Sequence, residues 1–135
     1  MPRLLGIDYG GKRVGIAISD ELQILSSPLT VLINNASLPS ELKKICKDNA
    51  VEKIVIGFPY SEKYKEASLE VTAFSEKIKQ YTGLAVDFQN EENSTVYSLS
   101  LLKSMGINEK KIKSVIDKFA AQKILEDYIK NNPKA

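Results

Sequence analysis

This chain of 135 residues predicts an α/β domain on a mixed five-stranded sheet with helices on both faces. Three observations lead there. The first 31 residues hold three strand signals in succession, the middle of the chain alternates helical with extended periods, and the end is helical. Length supports one domain over residues 1–135, enough for a real core and too short for two.

Arg3 to Asp8 reads as a short buried strand. Gly10-Gly11 turns the chain into Arg13 to Ser19, where apolar and small residues alternate, so the two segments form a hairpin with Asp8 and Asp20 at its ends. A third strand is expected from Ile24 to Val31, and Pro28 suits a sheet edge because it has no N–H for a central ladder. Leu38, Leu42, Ile45 and Cys46 then mark a helix face, Lys53 to Gly57 a short apolar strand, and Leu69 to Tyr81 a second helix. Leu84 to Phe88 supplies the fifth strand. Helices are expected over Thr95 to Met105, ended by Gly106, and over Ile116 to Ile129, closing before Pro133. Helical crossovers between the later strands imply parallel pairing there.

Composition narrows the chemistry. There is no histidine, which removes Ser-His triads, imidazole bases and the commonest transition-metal ligand. Nineteen basic and 17 acidic side chains leave a net charge of +2, so a grip on nucleic acid would come from a local patch. Cys46 has no partner for an internal disulfide and lies on an apolar helix face, where it reads as core filler. No apolar run approaches membrane-spanning length, and the expectation is a cytoplasmic protein without membrane contact.

Without histidine, phosphodiester hydrolysis calls for divalent metal held by oxygen ligands. Three acids stand at the ends of separate core elements: Asp8 after the first strand, Glu91 after the fifth, and Asp117 at the expected start of the last helix. Each has a plainer reading, respectively a turn aspartate, a solvated loop acid and a helix-start residue favoured by the dipole. Their convergence raises the metal-ligand reading, provided the fifth strand pairs beside the first. Glycines after Asp8 would let a phosphate backbone approach. Lys12 and Arg13 flank this centre and are the candidate phosphate contacts, ahead of Lys110, Lys111 and Lys113, which read as loop lysines before Asp117.

The stretch from Gly6 to Asp20, GIDYGGKRVGIAISD, resembles the opening of the YqgF (RuvX) family, Holliday junction resolvases also described as nucleases of the small-subunit ribosomal RNA precursor. Ile54 to Pro59 resembles that family's next strand and turn, and Ile116 to Ile129 its last helix. The resemblance implies an RNase H-like (RuvC-like) fold and a Mg²⁺- or Mn²⁺-dependent nuclease of structured nucleic acid, with Asp8, Glu91 and Asp117 as catalytic metal ligands. It implies either processing of the 5′ end of pre-16S rRNA in ribosome biogenesis or junction resolution in DNA recombination.

The chain departs from the family pattern after the fifth strand. The aligned residues are Asn90, Glu91 and Glu92 where the family has Asp-Glu-Arg, so one acid has become an amide and a base an acid. The turn after Pro59 also lacks the family's glycine. A second reading follows, a non-catalytic RNA- or ribosome-binding module on the same fold. The Gly6 to Gly11 loop further resembles the first phosphate loop of actin-like and sugar-kinase ATPases, which need a second domain this chain has no room for.

Overall fold

The computed structural model describes residues 2–59, 65–90 and 94–132. Its element order is β1 (Arg3–Tyr9), β2 (Arg13–Ser19), β3 (Ser26–Ile33), α1 (Leu38–Asp48), β4 (Val51–Phe58), α2 (Lys65–Thr82), β5 (Ala85–Asn90), α3 (Ser94–Ser104) and α4 (Glu109–Asn131). The five strands form one sheet in the order β3-β2-β1-β4-β5. Both β1–β2 and β2–β3 are antiparallel, whereas β4 runs parallel to β1 and β5 parallel to β4. The mixed sheet expected from the sequence is therefore present. β3 is an edge strand, and Pro28 sits where its register against β2 shifts.

Strand alternation divides the core into two layers. Leu5, Ile7, Val14, Ile16, Ile54 and Ile56 face α1 and α2, packing on Leu42, Cys46, Phe74 and Ile78. The opposite face carries Leu4, Ala17 and Val55 against Ala121, Ile124 and Leu125 of α4. Cys46 is buried among these apolar groups, and loss of water pushes its thiol up to about 11, so it carries no thiolate at neutral pH.

Close helix-to-sheet contact on the second face depends on two glycines. A Cβ on Gly6 would lie 2.9 Å from Leu125 Cβ, and one on Gly15 would lie 1.9 Å from the Asp117 carbonyl oxygen. Both sites exclude a side chain because α4 lies directly on β1 and β2. The helix is tied at its far end as well. Tyr128 Oη donates to Asp87 Oδ2 at 2.8 Å and accepts from Lys53 Nζ at 3.3 Å, which fastens α4 to β5 and β4. Burial, then the bond to Asp87, raises the Tyr128 phenol above its ordinary range.

Two sequence expectations need correction. The last helix begins at Glu109, with Asn108 as its N-cap accepting from the Lys111 amide at 2.9 Å, so Asp117 lies eight residues inside α4. The dipole argument for Asp117 fails there, and Lys110 to Lys113 belong to the first two turns of a helix, not to a loop. The capping signal was in the sequence, but the Lys-rich first turns hide the apolar period. Secondly, β5 does not lie beside β1. β4, whose central residues are buried, takes that place and β5 becomes the other edge.

Candidate active site

Asp8 is the penultimate residue of β1 and, by strand alternation, shares the α4 face with Leu4 and Gly6. Its partner across the antiparallel ladder is Gly15. The Asp117 backbone rests on that same Gly15, with its carbonyl oxygen 1.9 Å and its carbonyl carbon 2.2 Å from where a Cβ would be. One glycine thus brings the Asp117 backbone of α4 onto the ladder partner of Asp8, although the two acids are 109 residues apart in the chain. The sequence grouped these two acids with Glu91 on the premise that Asp117 opens the last helix; the glycine that seats Asp117 was not expected, although small residues at Gly6, Gly15 and Ala17 opposite Ala120-Ala121 were a readable signal for close packing.

The third expected acid, Glu91, lies outside the described residues, as does Glu92. The strand leading to it can be placed. β5 ends at Asn90, paired with Phe58, at the same end of the sheet as Asp8 because β1, β4 and β5 are parallel. With β4 between them, β5 stands two strand steps from β1, roughly 10 Å at about 4.8 Å per step. At the level just beyond Ile7 and Ile56, β4 presents Gly57, so no β4 side chain fills the α4 face between the strand ends. Among the described residues no group of three Asp, Glu or Cys side chains is close enough to hold a metal ion.

Arg13 opens β2 and its Nε donates to Asp117 Oδ2 at 2.9 Å. The Arg13 side chain is 50% exposed and that of Asp117 24%, so the pair borders solvent. This contact, spanning 104 residues, has no signature in the sequence. Lys12 is exposed in the β1–β2 turn. The turn is held from β3's end by Asn34, whose Nδ2 donates to the Gly10 carbonyl at 2.8 Å and whose backbone N donates to the Lys12 carbonyl at 2.9 Å.

Asp20, the hairpin's other acid, has a different occupation. Its Oδ1 accepts from the Ile24 and Leu25 amides at 2.8 and 3.0 Å, closing the turn into β3. The bond from Leu25, then that from Ile24, holds its carboxyl below the ordinary carboxylate range. It lies at the opposite end of the sheet from Asp8, because β1 and β2 are antiparallel.

Asp8 and Asp117 both carry carboxylate oxygens, the donor type that hard divalent cations take.

A family model described as "RuvX: Holliday junction resolvase" matches residues 2–131. A protein of Carboxydothermus hydrogenoformans named "Putative pre-16S rRNA nuclease" is 36% identical, covering 98% of this chain and 99% of its own. A protein of the same name from Mycoplasma mobile is 39% identical over 96% and 92% of the two chains. Among solved structures, the fowlpox virus resolvase bound to Holliday junction DNA superposes with a TM-score of 0.61 at 10% identity, covering 98% of this chain and 99% of that one. The T. thermophilus RuvC complex with a Holliday junction gives 0.56 at 11% identity, covering 98% and 97%. These two share the RNase H-like fold expected from the sequence.

Proposed function

Since the chain belongs to the RuvX family of Holliday junction resolvases, we propose that it is a metal-dependent nuclease that cuts a phosphodiester of structured nucleic acid, either precursor 16S rRNA or branched DNA. The observation that carries this reading is the seating of Asp117 on Gly15, directly across the ladder from Asp8. Asp8, Asp117 and Glu91 would hold Mg²⁺ or Mn²⁺. When bound, such an ion offsets charge on the phosphate and favours attack by water. Asp8 and Asp117 supply oxygen ligands from two rigid elements, so their relative position is set by sheet and helix, not by a loop. Gly10 and Gly11 keep side chains away from the approaching backbone, and Lys12 meets phosphate oxygens from the exposed turn.

The test compares wild type with Asp8→Asn on a 5′ precursor fragment of 16S rRNA and on a four-way DNA junction, with Mg²⁺, Mn²⁺ or chelator. Wild type should cleave at least one substrate only with metal, and Asp8→Asn should not cleave. In thermal unfolding, added metal should raise the wild-type Tm and raise that of Asp8→Asn less, because a ligand bound only by the folded state stabilises it. A merely structural Asp8 would instead lower stability by about 1 to 3 kcal/mol with or without metal. Equal metal responses, or full cleavage by the variant, would refute the assignment.

A second reading rests on Asn90, an amide at the end of β5 where the family pattern has an acid. On that reading the chain binds ribosomal RNA without cutting it. Tight, metal-independent binding of the precursor fragment with no cleavage under any metal would select it.

A further inference from the structure

We infer that Arg13 is an internal stand-in for the metal ion: its guanidinium neutralises Asp117 until a divalent cation arrives, then moves to the phosphate backbone, so that metal loading and grip on nucleic acid are coupled. The inference rests on the metal-site reading above and adds a residue that regulates the site.

The argument starts from one oxygen. Asp117 Oδ2 accepts from Arg13 Nε at 2.9 Å, and a hard cation held by Asp117 and Asp8 needs the same carboxylate charge. A guanidinium and a divalent ion cannot both sit close to that carboxylate without repelling each other. The contact is made through Nε instead of the two-nitrogen fork that guanidinium uses when it binds carboxylate most strongly. The Arg13 side chain is 50% exposed, so the pair is screened and easily exchanged.

The two ends of the pair differ in their freedom. Asp117 belongs to α4, whose backbone is pressed on Gly15, and it cannot follow the arginine outward. Arg13 is the first residue of β2, next to Lys12 in the exposed turn, and its long side chain can swing without disturbing the ladder. When the ion displaces it, the guanidinium is left beside Lys12, and two cations then face an approaching phosphate backbone. Without metal, the same guanidinium is spent on Asp117. Linkage makes this reciprocal: whatever metal adds to nucleic-acid affinity through Arg13, nucleic acid adds to metal affinity.

The test needs no turnover. Mn²⁺ alone is titrated calorimetrically into wild type, Arg13→Ala, Arg13→Lys and Asp8→Asn. The inference expects Arg13→Ala to bind Mn²⁺ roughly two- to fivefold more tightly, the range of a partly exposed ion pair. Arg13→Lys keeps the charge and should stay near wild type. In a parallel Mg²⁺ titration followed by NMR, the Arg13 Nε–H resonance should move toward the position of a solvated guanidinium as the site fills. Unchanged or weaker Mn²⁺ binding by Arg13→Ala, with Asp8→Asn still impaired, overturns the inference and leaves the metal site standing. An Asp8→Asn affinity equal to wild type overturns the metal-site reading itself.

Discussion

Asp8 and Asp20 are the same side chain at opposite ends of one hairpin, in different surroundings. Asp20 accepts two backbone amides in the turn it closes, which favours its ionised form and holds its carboxyl below the usual range. A folded-state value below the unfolded one means that its contribution to stability is present above the unfolded value near 3.8 and is lost as pH falls through the folded value. Asp20→Asn should therefore flatten the loss of stability below about pH 4 relative to wild type. Urea midpoints measured from pH 6 down to 2.5 check this, and parallel curves for the two proteins would place the acid sensitivity elsewhere. Asp8 instead stands at a ladder position whose partner is a glycine covered by α4. Sequence placed both residues at strand ends. Which of them closes a turn depends on where the Ile24 and Leu25 amides point, which is a backbone property.

At the level of elements, α4 is the part that brings Asp117 onto the strand pair that carries Asp8. It crosses β1 and β2 with its backbone against Gly6 and Gly15, carries Asp117 into place, and is pinned by Tyr128 to Asp87. Gly15→Ala would put a methyl 1.9 Å from a helix carbonyl oxygen, which only a shift of the helix can relieve. Gly6→Ala meets a side-chain carbon at 2.9 Å and a carbonyl oxygen at 3.1 Å, a milder clash. Gly15→Ala should cost about 2 to 3 kcal/mol by overpacking and Gly6→Ala less. Chemical denaturation gives the ranking. The reverse order would mean that α4 does not bear on β2 as closely as the geometry requires. Because Asp117 moves with the helix, Gly15→Ala should also reduce the Tm shift produced by Mn²⁺. The sequence located this helix's end but started it late, because Glu109 to Lys113 carry few apolar residues and the periodic pattern begins only after them.

For the molecule as a whole, the near balance of 19 basic and 17 acidic side chains leaves no global field to draw in nucleic acid. On the proposed function, affinity would then depend on a few cations beside the acids. Replacing both Lys12 and Arg13 by alanine should weaken nucleic-acid binding and make its salt dependence shallower by about one to two phosphate contacts. Fluorescence anisotropy across a range of KCl concentrations measures the slope. A slope equal to wild type would put the binding surface on another part of the molecule.

The sequence by itself determined the strands, the helices apart from the start of α4, the mixed sheet with its two covered faces, and the family, because each is written in local periodicity or in a contiguous motif such as Gly6 to Asp20. It also named Asp8, Glu91 and Asp117 as candidate ligands, a role that belongs to the proposed function. The tertiary structure alone decided that β4 and not β5 neighbours β1, that Gly15 is the seat of Asp117, and that Arg13 engages that carboxylate across 104 residues. The reason is physical. Strand order follows from which segment can be buried on both faces, and a contact between distant residues follows from how closely one backbone can approach another. Neither quantity is a property of any one stretch of chain.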